Sequence, residues 1–248
     1  MFQPRFRLHD RALMAMEASS AHTRPRLHHV MPGTIPAARE RRDIGRDGAM
    51  LRHACRLAAG CRGASPPALS LGITEAQTAS GLLARLIGEV LYDSGLPPER
   101  LELEFSEGSL QTDETELLYL LAALRDLGIS LVLGGFGSGV SSLTLLRRRS
   151  LAGLLSGLRL DQLLVQDLGI DTRDAGFLHG LIASAHALGL LVMAEGIESE
   201  RQCERLLSAG CDQGLGTWLG EPALPAVCME RALRAVSPGG YSRQPDPG

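Results

Sequence analysis

The stretch LVLGGFGSGVSSLTLLRRR, Leu131 to Arg149, places glycines and a serine around Phe136, between a strand-like run and a short helical one. A glycine-rich turn at such a junction is where backbone amides commonly cradle a phosphate. The residues leave two readings open, a nucleotide loop or a site without the side chains to do chemistry. Other groups with chemical potential are scattered. His22, His28 and His29 have no zinc-motif spacing and read as solvated loop histidines. Cys55, Cys61, Cys203, Cys211 and Cys228 contain no C-x-x-C pair, and their odd number fits reduced thiols of a cytoplasmic protein used as small core residues. The run RERRDIGR, Arg39 to Arg46, includes Glu40 and Asp43, which fits a solvated helix face.

The elements that would position these groups alternate along the chain. Strands are expected at FQPRFRL and ALMAMEAS, then at ALSLGI, LELEF, ISLVL, GLRLD, LLVMA and GTWL. Helices are expected over 47–59, 77–92, 113–127, 142–148, 174–188, 200–208 and 224–236, with an irregular stretch over 22–46. Asp113 and Glu116 form a capping-box pattern ahead of the third helix. About eight strands alternating with helices over 248 residues point to an α/β fold, a (β/α)8 TIM-type barrel of parallel strands occupying 1–236. Residues 237–248, SPGGYSRQPDPG, read as a disordered tail.

Bulk properties narrow the function. Aromatics are 4% of the chain and the net charge is -3, which leaves no stacking surface or basic footprint for nucleic acid. No apolar run approaches the roughly 20 residues of a membrane span. Every one of the 25 basic residues counted as Lys or Arg is arginine.

Read in order, FQP, MEAS, LPPERLELEFSE, LGGFGSGVSSLTLLRR, LRLDQLLVQDL and VMAEGIESERQCERLLSAGCDQGLGTWLGEPALP resemble the successive motifs of the EAL domain. That family is a barrel of bacterial phosphodiesterases that open cyclic di-GMP with Mg²⁺ or Mn²⁺. The family places a helix and part of a strand ahead of its opening motif, so the resemblance implies either a barrel lacking its first helix or another element covering that region. It also chooses between the two readings of the glycine stretch. Gly134 and Gly135 stand where the family carries two adjacent metal-binding aspartates, and glycine offers no hard oxygen ligand.

The same carry-over assigns the remaining positions. Glu17, Glu104 and Glu195 match metal-binding glutamates, with Glu198 close by. Glu107 matches the glutamate that steadies the loop after the paired acids, and Asp161 keeps the aspartate of the LKID block. Gly72 replaces an asparagine ligand, Arg159 replaces a lysine near the attacking water, and Leu215 replaces a glutamine. Ala21 replaces a phosphate-contacting arginine, and Glu221 replaces a basic residue at the rim. Gln3 and Pro4 persist as nucleotide-binding positions.

The expectation drawn from these replacements is a chain that is not an enzyme: no bound cofactor or metal, no catalytic residue, and solvated carboxylates at Glu17, Glu104 and Glu195. It would serve as a regulatory module that meets a protein partner in cyclic di-GMP signalling, with a homodimer as a further possibility. The alternatives are a sensor that binds cyclic di-GMP without cutting it and a weak phosphodiesterase. The losses at Ala21 and Glu221 weigh against nucleotide binding.

Overall fold

In the computed structural model, residues 1–18, 37–61, 65–106, 108, 114–136, 153–166, 172–228 and 230 are described. β1 (Phe2–Arg7) is followed within a few residues by β2 (Leu13–Ala18). A connection this short cannot carry a parallel crossover, which needs a dozen residues or more. It makes a hairpin instead. Arg11 turns the chain at φ 60, and the Asp10 carboxylate accepts the N–H of Ala12 at 3.1 Å. No helix stands between β1 and β2, and β1 runs antiparallel to both of its neighbours, β2 and β8. The expectation of parallel strands throughout is corrected here, because the loop is too short for it.

The remaining elements follow as α1 (Ala37–Ala59), β3 (Ala68–Ile73), α2 (Glu75–Ala79), α3 (Leu83–Ser94), β4 (Leu101–Ser106) and α4 (Glu114–Asp126). After them come β5 (Ser130–Phe136), β6 (Gly157–Leu160), α5 (Gln162–Gln166), α6 (Thr172–Ala187), β7 (Leu191–Ala194), α7 (Glu200–Ser208) and β8 (Gln213–Gly214). The strands close into one barrel in sequence order, parallel from β2 to β8.

Period-2 patterning explains the layering. Leu69, Leu71 and Ile73, Leu101, Leu103 and Phe105, and Leu131 and Leu133 are all buried in the apolar core. At alternate positions Ser70 meets Glu102 between neighbouring strands, and Glu104 meets Arg159 of β6 across the interior. The apolar face therefore packs outward against the helices and the polar face turns into the barrel. Each fully buried leucine contributes about 1.5–3 kcal/mol, so the outward face stabilises the closed sheet that holds the polar interior.

Three boundaries differ from the sequence reading. The helix expected over 77–92 is two helices, because Ser80 ends α2 and Gly81 follows at φ 66. α1 begins at Ala37, inside the stretch expected to be irregular. GTWL is a turn rather than a strand, and the eighth strand is Gln213–Gly214. The helix expected over 142–148, the Asp113 cap and the 237–248 tail lie outside the described residues.

Candidate functional site

Two polar layers fill the barrel. In the lower one, Arg5 of β1 forms a two-pronged pair with Glu102 of β4, Nη1 to Oε1 at 2.7 Å and Nη2 to Oε2 at 2.6 Å. Ser70 of β3 donates to the same carboxylate at 2.7 Å, and Arg5 also reaches Met193 Sδ of β7 at 3.0 Å. Burial alone would push Glu102 up. The Arg5 charge and the hydrogen bonds from Arg5 and Ser70 outweigh it, with help from Arg159, and hold the carboxyl below its ordinary value.

The upper layer lies at the C-terminal ends of the parallel strands, where barrels of this type place their sites. Its centre is Arg159 of β6, with a side chain 2% exposed. Nη1 donates to Glu17 Oε2 of β2 at 2.7 Å and approaches Glu195 Oε2, just beyond β7, at 3.4 Å. Nη2 pairs with Glu104 of β4. The expectation that these three carboxylates are merely solvated is corrected: one guanidinium from a fourth strand engages all three. Burial raises the Glu104 carboxyl, and although Arg159 opposes this, Glu17, Glu195 and Glu102 add to it, pushing it up to about 8. Arg159 stays charged, because the surrounding carboxylates overcome its own burial.

Glycine makes this arrangement possible. A Cβ on Gly134 would overlap the Glu104 side chain, so Glu104 occupies the room an acid at that position would need. Gly134 and Gly135 lie within β5, not in a loop after it as expected from the sequence. Gly135 sits at φ 68, where the β5–β6 register shifts between Leu133 and Phe136. This bulge with a left-handed glycine is the physical reason the run stays in the strand. At Gly72 a Cβ would meet nothing within 4 Å.

The other sequence-assigned residues are placed as follows. Asp161 lies outside the carboxylate cluster and caps α5, with Oδ1 accepting the N–H of Leu163 at 2.8 Å. Leu215 is buried beside β7 and accepts the N–H of Ile197. Gln3 pairs with Glu17 across the hairpin, and its Nε2 donates to Gly220 O at 3.0 Å. Pro4 lies against Gly220, while Glu198 and Glu221 are exposed. Ala21 and Glu107 lie outside the described residues. The Arg5–Glu102 pair escaped the sequence reading. Its signal was alternation: Arg5 is two residues from Gln3 and Glu102 two from Glu104, each on the inward face.

A divalent ion does not fit the mouth in this arrangement. Such an ion needs several oxygens around a cation-sized space, and here the guanidinium stands in that space. Among the described residues no group of three or more His, Cys, Asp or Glu is placed to hold a metal ion. Nor, among them, is any helix long and apolar enough to cross a membrane.

Comparison with known proteins adds a second line of evidence. The EAL domain family model matches residues 1–222. The cyclic di-GMP phosphodiesterase NbdA of Pseudomonas aeruginosa is 37% identical over 155 residues, covering 61% of this chain and 19% of that protein. The crystal structure of the EAL domain of Mycobacterium smegmatis DcpA superposes with a TM-score of 0.79 at 25% identity, covering 96% of both chains. The PaMucR phosphodiesterase in complex with c-di-GMP gives a TM-score of 0.75 at 27% identity, covering 89% of this chain and 90% of that one. The chain thus spans about a fifth of NbdA. These findings overturn the expectation that the chain is not an enzyme, since NbdA and PaMucR are both named as phosphodiesterases.

Proposed function

This chain belongs to the EAL domain family, and from that premise we propose that it works in cyclic di-GMP signalling by taking cyclic di-GMP at the barrel mouth. The observation that carries the reading is the polar layer at the strand ends, where Gln3, Glu17, Glu104, Arg159 and Glu195 face one opening from five strands or strand ends.

Hydrolysis of the bound dinucleotide is a second reading. It is favoured by the activity in the relatives' names and by the three surviving carboxylates. One experiment separates the two. Calorimetric titration with cyclic di-GMP is run with and without Mn²⁺, and the nucleotide is then chromatographed. Micromolar binding supports the first reading, and linear product adds the second. Absence of binding at 100-fold higher nucleotide concentration overturns both. Glu221→Arg exchanges a rim charge for a phosphate partner and is expected to tighten binding roughly tenfold, the effect of about 1.4 kcal/mol from one charge-assisted hydrogen bond.

A further inference from the structure

We propose that the Arg159 guanidinium is the resident cation of the barrel mouth, standing where a divalent ion would have to stand. The Glu17, Glu104 and Glu195 carboxylates then become a divalent-cation site only when that side chain is removed. The inference rests on mouth geometry alone and does not depend on nucleotide binding.

Three observations converge on it. The first is charge. Three partly buried carboxyl groups from separate strands or strand ends converge on one side chain that is 2% exposed, and acids crowded this way carry charge only with a cation among them. The second is chemistry. Guanidinium is planar, always protonated and presents several donors at once, so one residue satisfies acceptors that a point charge would satisfy by coordination. The third is space. Glu104 reaches Arg159 through the volume left open by Gly134, where any Cβ would overlap it. The missing side chain at 134 and the arginine at 159 are therefore two halves of one arrangement. Putting a carboxylate back at position 134 would displace Glu104 from the pair before it could supply a ligand.

The arrangement has a cost that points the same way. Arg159 Nε and Nη2 are both buried with no hydrogen-bond partner among the described residues, Nη2 meeting Glu104 only as an ion pair. The side chain is held by its two terminal nitrogens, as expected of a group anchored by charge rather than by a complete set of neutral hydrogen bonds.

The test follows thermal unfolding of the unmodified chain, Arg159→Ala, Arg159→Lys and Glu195→Gln, each in EDTA and in millimolar MnCl₂. The unmodified chain should not respond to Mn²⁺ and should give no stoichiometric Mn²⁺ isotherm. Arg159→Ala should melt lower in EDTA and gain about 5–10 °C in Mn²⁺, the shift expected for saturation near 100-fold over Kd in a domain of this size. Arg159→Lys keeps one charge but gives up the guanidinium's several contacts, so it should melt below the parent in EDTA and gain less from Mn²⁺ than Arg159→Ala. Glu195→Gln removes one of three like charges at the longest contact and should melt at or above the parent. If Arg159→Ala does not fold in EDTA, recovery of folded protein on refolding with Mn²⁺ supports the proposal, and failure with Mn²⁺ overturns it. A stoichiometric Mn²⁺ isotherm or Mn²⁺-dependent turnover by the unmodified chain also overturns it. So does a Glu195→Gln variant that melts below the parent in EDTA. Failure of cyclic di-GMP to bind leaves this proposal intact, and Mn²⁺ binding by the unmodified chain leaves the nucleotide reading intact.

Discussion

Glu102 and Glu104 are two residues apart on one strand and face the same interior, yet their surroundings push their acidities in opposite directions. Glu102 has a two-pronged arginine and a serine to itself. Glu104 shares one arginine with Glu17 and Glu195. The consequences for stability are therefore opposite. Glu102 is held below its unfolded value, so its contribution is present above about 4.5 and disappears as pH falls through the lower folded value. Glu104 is raised from 4.5 to about 8, so the folded state holds a proton that the unfolded chain has released across that window. Stability from this residue falls as pH rises from 4.5 to about 8. Urea unfolding midpoints for the unmodified chain should decline across the upper part of that window, and Glu104→Gln should flatten the decline. An unchanged slope in the variant would remove Glu104 as its source.

At the scale of the element, most strands could be read from the chain. Runs such as LELEF and ALSLGI alternate cleanly, and the observed β3 and β4 begin where those runs begin. The carboxylate positions on them followed from the motifs. What the motifs could not supply was the partner of those carboxylates. Arg159 was assigned by resemblance to a lysine position, and its contacts with β2, β4 and Glu195 depend on barrel closure, which no local pattern encodes. The GGF segment was misplaced for a related reason. Glycine has weak strand preference, but pairing to both neighbours extends β5 through it. Two substitutions separate these effects. Gly72→Asn enters open space and should change stability by no more than about 0.5 kcal/mol, as for substitutions that disturb no packed or paired group. Gly134→Asp must push Glu104 off Arg159 and adds a fourth carboxylate, and should cost about 1–3 kcal/mol as an overpacking change. Equal stability of the two variants in chemical denaturation would show that Glu104 has another place to go.

For the whole molecule, closure of the barrel removes sheet edges, but the seam is unequal. β3 and β4 pair at five positions and so do β4 and β5, whereas β1 and β8 pair at Phe6–Gly214 and Arg7–Gln213 alone. Phe2 supplements that seam by bridging to Ala223, with hydrogen bonds of 2.8 Å in both directions. The mouth layer straddles this inequality. Glu104 stands on the well-paired strands, Glu17 on the hairpin that ends in the seam, and Arg159 ties the two together across the interior. Local opening follows the number of hydrogen bonds and buried contacts that must be broken, so the seam should open before the β3–β5 sheet does. In native-state hydrogen exchange, amides of Phe2, Gln3, Arg5, Phe6, Arg7, Gln213 and Gly214 should exchange faster than those of 69–73 and 101–105. Arg159→Lys, which gives up the guanidinium's ability to hold several carboxylates at once, should widen the difference by speeding the seam while leaving β3 and β4 nearly unchanged. Uniform acceleration over all strands would mean that the barrel opens only globally, and that Arg159 stabilises it as a single unit.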